Sequence, residues 1–229
     1  MSNPFSFIPD ESLVNNPEQR LPFIFLADTS GSMGVNGGEP IRQLNAGLDA
    51  LHREISSDLQ ATKRVEVSVV TFGGTPQVHQ PFATIDRIST LSGLTAQGGT
   101  PMGGAIMLGL DLLDQRMREY KSHGITPLRP WLWICSDGAP GDDTTAAAQR
   151  LADMERRNKV VAFTLGIQDA DFNMLASLSP RPPMRLEGLK FPELFQWLGV
   201  SLRSASSRNP GADLELALPP SVRFLKVPT

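Results

Sequence analysis

Short apolar runs and amphipathic stripes take turns along this chain. Phe23-Ile24-Phe25-Leu26-Ala27 is continuous and apolar, as a strand covered on both faces requires, and it stops at Asp28. Pro40 suits the first turn of a helix, and Ile41, Leu44, Leu48, Leu51, Ile55 and Leu59 then recur on one helical face. Over 65–72, Val65, Val67 and Val69 alternate with Glu66 and Ser68, the period of a strand. Gly73-Gly74 predicts a tight turn into a returning strand over 77–85. A loop over 89–99 leads to Thr100-Pro101, where Thr100 can cap a helix beginning at Pro101. That helix carries Ile106, Leu110, Leu113 and Met117. Trp131 to Cys135 reads as another buried strand, ending at Ser136-Asp137-Gly138. A helix over 144–157 and a strand over 160–166 follow. Two further helices, over 171–178 and 192–204, flank a short strand over 184–186.

Strands that alternate with amphipathic helices predict an α/β fold. The expected sheet is open, mainly parallel and doubly wound (Rossmann-like), with helices on both faces. The 77–85 strand, joined by a tight turn, must be antiparallel, which predicts one antiparallel edge strand. The organisation that follows is a polar N-terminal extension over 1–20, one domain over 21–204, and a C-terminal tail over 205–229 rich in Pro, Ser and Gly.

Composition narrows the picture. Of 229 residues, 40% are apolar and 20% charged, enough to bury one substantial core with extensions. The net charge of −3 and the lack of a Lys/Arg run argue against nucleic acid as a partner. Cys135 is the single cysteine, so no intrachain disulfide can form, which fits a reducing compartment. Pro4, Pro9, Asp10, Glu11 and Pro17 interrupt the first twenty residues, leaving no secretory apolar core. No run approaches the roughly 18 apolar residues of a membrane span. The expectation is a cytoplasmic protein without membrane insertion.

Three separated segments place oxygen-bearing side chains where strands end. Asp28, Ser30 and Ser32 follow the first strand, Thr100 precedes a helix, and Asp137 follows the Trp131–Cys135 strand. In open α/β sheets, ligands bind beyond the carboxyl ends of strands where the strand order reverses. If the first and fourth strands are neighbours there, Asp28 and Asp137 meet. Two carboxylates and three hydroxyls, without thiolate or imidazole, suit Mg²⁺, with Mn²⁺ or Ca²⁺ as alternatives, far better than zinc or copper. So few formal charges leave the ion Lewis-acidic toward an incoming carboxylate.

Asp28-Thr-Ser-Gly-Ser32, a later Thr100 and Ser136-Asp-Gly138 resemble the metal ion-dependent adhesion site of von Willebrand factor A domains. The resemblance covers roughly residues 21–204. It implies that the serines and the threonine bind the ion, that the aspartates act directly or through water, and that an Asp or Glu of a protein partner completes the shell. Pro40-Ile41 with Asn45-Ala-Gly47-Leu48, Gly98-Gly-Thr-Pro101-Met-Gly-Gly104 and Ser136-Asp-Gly-Ala-Pro140 are similar to bacterial TerY-type tellurium-resistance proteins. That likeness implies an intracellular stress-response or signalling complex whose partner is a kinase, a phosphatase or another stress-response protein.

Each residue also has an ordinary explanation. Ser30, Gly31 and Ser32 are turn formers, Thr100 a helix cap, and Asp137 before Gly138 a turn start. Asp142 and Asp143 read as cap and first-turn charge for the helix that follows them. Cys135, Trp131 and Trp133 read as core, and Met33 and Met102 beside the candidate site as packing. His52, His79 and His123 are scattered. The alternative function is a metal-dependent phosphoesterase or other hydrolase. The position two residues after Asp28 is Ser30, where aspartyl-nucleophile phosphatases carry a second Asp, and no Gly-x-Ser-x-Gly elbow surrounds Ser32. Neither a dinucleotide fingerprint nor a P-loop occurs in residues 28–40. The chain is therefore expected not to be an enzyme.

Overall fold

The computed structural model describes residues 11–208 and 218–225. The apolar run of the first strand becomes β1 (Leu21–Ala27), buried at every position. Before it comes α1 (Glu11–Val14), and after it α2 (Val35–Ser56), α3 (Ala61–Arg64), and the hairpin of β2 (Val65–Gly73) and β3 (Thr75–Thr84). Then follow α4 (Met102–Ser122), β4 (Trp131–Ser136), α5 (Thr145–Arg156), β5 (Val161–Ile167) and α6 (Phe172–Leu178). The chain closes with β6 (Met184–Leu186), α7 (Phe191–Ser206) and β7 (Val222–Phe224).

Alternate residues of β1 serve opposite cores, as the period of two requires. Phe23 and Phe25 pack with Leu44, Leu48 and Leu51 of α2 and with Phe195 and Leu198 of α7. Ile24 and Leu26 pack with Ile106 and Leu110 of α4, Leu151 of α5 and Leu175 of α6. The sheet order is β3-β2-β1-β4-β5-β6-β7, with β1 parallel to both β2 and β4. β3 runs antiparallel to β2, as the Gly73-Gly74 turn predicts.

Three expectations need correction. The sheet has antiparallel strands at both edges, because β7 pairs with β6; its three residues are too few to carry a periodic signal. The 205–229 stretch thus contributes a strand as well as a tail, and residues 209–217 and 226–229 lie outside the described residues. Leu59 is 86% exposed, since α2 ends at Ser56 and carries the helical face no further. Asn36, Gly37 and Gly38 have left-handed backbone (φ 53°, 68° and 80°), so regular α-helix begins at Glu39, with Pro40 in its first turn as expected.

The alternation in β2 predicts its strand, and Glu66 and Ser68 face a second core. Ser68 Oγ donates to Gln80 O at 2.9 Å. Glu66, fully buried, accepts from Arg20 Nε (3.1 Å), Arg116 Nε (2.7 Å) and Tyr120 Oη (2.6 Å). Arg20 is itself buried, and Leu13 of α1 packs on Tyr120 and Ile125. Residues 11–20 of the expected polar lead-in are therefore anchored in the fold, while residues 1–10 lie outside the described residues.

Candidate metal centre

β1 and β4 are adjacent and parallel, with Ala27 opposite Cys135 and Asp28 N donating to Cys135 O at 3.0 Å. Strand order departs in opposite directions from this pair, so a crevice opens beyond its carboxyl ends. Asp28 and Ser136-Asp137 emerge there side by side. Ser30 N donates to Asp28 Oδ1 at 2.8 Å, which folds the first loop back over its own strand end. The hydroxyls of Ser30 and Ser32 lie 3.0 Å apart, and Ser32 Oγ donates to Asp137 Oδ1 at 2.8 Å. Three of the five expected ligands, Ser30, Ser32 and Asp137, thus form a chain of oxygens, and Asp28 is tied to it through the Ser30 amide.

Thr100 arrives by its main chain. Gln97 N donates to Thr29 O (2.7 Å), Gly31 N to Gly98 O (2.9 Å) and Gly74 N to Gly99 O (2.9 Å), stitching the 95–100 loop to the first loop and the hairpin. On its other side Thr100 O accepts from Gly141 N at 2.8 Å, beyond Asp137. This stitching demands glycine at position 73, where a Cβ would lie 2.2 Å from Thr29 O and 2.5 Å from Gln97 O. Among the described residues the half-buried Thr100 hydroxyl has no hydrogen-bond partner. It does not cap a helix either. α4 starts at Met102, and the Asp142 carboxylate accepts from Gly103 N (2.9 Å) and Gly104 N (2.8 Å).

Asp142 therefore caps α4 rather than the helix that follows it, contrary to the sequence expectation. Asp143 does serve the next helix, accepting from Thr145 N at 2.9 Å and Thr145 Oγ1 at 2.6 Å, bonds that hold its carboxyl below the ordinary value. Met33 and Met102 are fully buried and pack beneath the site. Sequence reasoning missed Ser136, whose Oγ donates to Asp28 Oδ2 at 2.5 Å. Its signal was a hydroxyl at the last residue of an otherwise apolar strand, beside a carboxylate.

The electrostatics are lopsided. Asp28 is 0% exposed and Asp137 6% exposed. Burial raises both carboxyls above the ordinary value; the Ser136 and Ser30 bonds oppose it at Asp28, and the Ser32 bond opposes it at Asp137. The Asp28 charge adds to the rise at Asp137. The Cys135 thiol behind them is pushed well up, by burial and then by the two aspartates. Among the described residues neither aspartate forms an ion pair with Lys, Arg or His. Two buried like charges without a counter-cation are unfavourable unless a cation joins them. No group of three or more His, Cys, Asp or Glu exists among the described residues to form a metal site, so hydroxyls must supply the remaining donors. That oxygen-only set fits a hard divalent ion in kind.

A family model described as von Willebrand factor type A domain matches residues 23–190. Among solved structures, the chain is similar to the pilus adhesin SpaC of Lactobacillus rhamnosus GG (TM-score 0.60, 14% identity), covering 83% of this chain and 31% of that one. It is similar to the von Willebrand domain of a type V pili tip protein of Porphyromonas gingivalis (TM-score 0.58, 11% identity), covering 86% and 99%. It is also similar to proximal thread matrix protein 1 of the mussel byssus, in a structure described as having a zinc-occupied MIDAS motif (TM-score 0.53, 14% identity), covering 82% and 49%. At such identities the likeness is one of fold. The chain spans about half the length of the mussel protein. No curated protein matches it.

Proposed function

The chain belongs to the von Willebrand factor type A domain family, and from that premise we propose that it is a Mg²⁺-dependent protein-binding module. Asp28, Ser30, Ser32, Thr100 and Asp137 would hold the ion, with Mn²⁺ or Ca²⁺ as alternatives. The observation that carries this reading is the pair of buried aspartates, joined through Ser30 and Ser32, with no counter-cation among the described residues. The zinc-occupied motif of the mussel protein supports a divalent ion in this fold.

When bound, the ion supplies Lewis acidity toward a carboxylate. Ser32, exposed at the mouth of the crevice, and the Thr100 hydroxyl, unpartnered among the described residues, leave room for an Asp or Glu from a protein partner. Ser136 fixes the Asp28 carboxylate from behind, so that its orientation is set before an ion arrives. The module is not catalytic in this reading. Its setting is a bacterial, cytoplasmic stress-response or tellurium-resistance-type complex, with a kinase, a phosphatase or another stress protein as partner. The residue runs at 98–104 and 136–140 support that setting.

Thermal unfolding with added Mg²⁺ tests the site. An ion at 100 times its dissociation constant stabilises a native state that alone binds it by about 2.7 kcal/mol. Wild type should show that gain, and Asp28→Ala should not. Partner capture should need Mg²⁺, disappear with chelator, and be absent for Asp28→Ala. No thermal shift up to millimolar Mg²⁺, Mn²⁺ or Ca²⁺ would overturn the assignment.

A further inference from the structure

At the opposite pole of the sheet, where β4 and β5 begin, α4, the 127–130 segment and the turn after α5 enclose a cleft of about 550 Å³. Volumes of this order suit ligand sites. Its floor is apolar, built from the buried Leu113, Leu128, Pro130 and Met154. Half-buried Met117 joins Met154 there, and two flexible thioethers let the floor adapt to an inserted side chain.

The rim has the opposite character. Arg118, Lys121 and Lys159 are exposed, and among the described residues none of the three side chains has an ion-pair or hydrogen-bond partner. Arg129 stands in the wall, its Nε and Nη2 donating to Val160 O at 2.9 and 2.6 Å. The acidic residue of the lining, Asp114, is already engaged by Arg150 at 2.9 Å. A chain of net charge −3 has thus gathered unpaired positive charge around one apolar cleft. The sequence hides this, because Arg118 and Lys121 come from one helix and Lys159 from a later turn.

We infer that this cleft is a second docking site, for an acidic segment of a protein partner that inserts an aliphatic or aromatic anchor between flanking Asp or Glu residues. The enclosed floor calls for an apolar anchor, which a nucleic-acid backbone lacks. The rim calls for carboxylates on both sides of it. Exposed ion pairs add little strength individually, so the anchor supplies most of the affinity, and the rim supplies preference and faster association.

Fluorescence anisotropy in chelator tests the inference, using a labelled peptide of about twelve residues with a central Leu-Phe pair flanked by Glu, and a twin with Gln in place of Glu. The Glu peptide should bind about tenfold or more tighter than its twin, and the gap should narrow as salt screens the rim. The variant R118E/K121E/K159E should keep its melting temperature and lose the preference. Asp28→Ala should bind the Glu peptide as wild type does, which separates this cleft from the metal centre. Equal binding of the two peptides, or undiminished binding of the Glu peptide by the triple variant, would overturn the proposal.

Discussion

Asp28 and Asp137 titrate in a setting that favours the neutral acid, because burial raises both and Asp28 raises Asp137 further. A carboxyl raised on folding keeps a proton that the unfolded chain has released. Metal-free stability should therefore fall as pH climbs from the ordinary carboxylate value through the raised ones. Asp28→Asn keeps an oxygen for Ser30 N and removes one charge. In chelator at neutral pH it should melt higher than wild type, by about 2–4 °C for each kcal/mol relieved. It should also lose the Mg²⁺ response. Calorimetry showing a lower metal-free melting temperature would refute this account. The clustering of Asp28, Ser30, Ser32 and Asp137 was legible in the sequence because each sits within a few residues of a strand end that the apolar pattern marks. Ser136 was not singled out, since its role depends on which strand lies beside it. The burial of Glu66 was not legible for a related reason: alternation tells which residues share a face, and says nothing of what covers that face. Burial and the Glu66 charge push the Tyr120 hydroxyl well up, while Glu66 holds Arg116 above its ordinary value despite burial.

Helix α4 begins where three loops converge, and its first turn is held by a carboxylate 38 residues further along the chain. Asp142→Ala leaves the Gly103 and Gly104 amides without that acceptor, at a cost of about 1 kcal/mol. It should also loosen the Thr100 loop, so Mg²⁺ affinity should fall along with stability, although Asp142 is not among the proposed ligands. Isothermal titration and denaturant unfolding of the variant measure both effects, and unchanged affinity would show that the loop is set by its glycine stitching alone. Gly73→Ala should be harsher, since the added carbon meets main-chain oxygens of Thr29 and Gln97. The long elements α2, α4, β1, β4 and α7 were readable because their periodic patterns run for several turns or fill a whole strand. The ends were not. The left-handed Asn36–Gly38 run and the Asp142 cap depend on local backbone and on distant chain, neither of which leaves a periodic trace.

The molecule has two poles, separated by the length of β4, about 20 Å at the usual rise per residue. The metal centre occupies the carboxyl pole. The Arg20–Glu66–Arg116–Tyr120 cluster and the cationic cleft lie toward the amino pole. Glu66→Ala would leave two buried guanidinium groups without their shared carboxylate, a loss of about 3–5 kcal/mol. Because the poles lie beyond the ~8 Å screening length of physiological salt, that variant should bind Mg²⁺ as wild type does while unfolding at markedly lower urea. A parallel fall in Mg²⁺ affinity would mean that the sheet transmits the change. The hairpin has a consequence of its own. β3 is an outermost strand and contains Pro76 and Pro81, which have no amide hydrogen to offer a newcomer, and its pairing with β2 is irregular near Val69. At the far margin, β7 presents only three residues. Neither margin is a good template for a foreign strand, so crowded copies of this chain should resist stacking into fibrils even where the sheet ends.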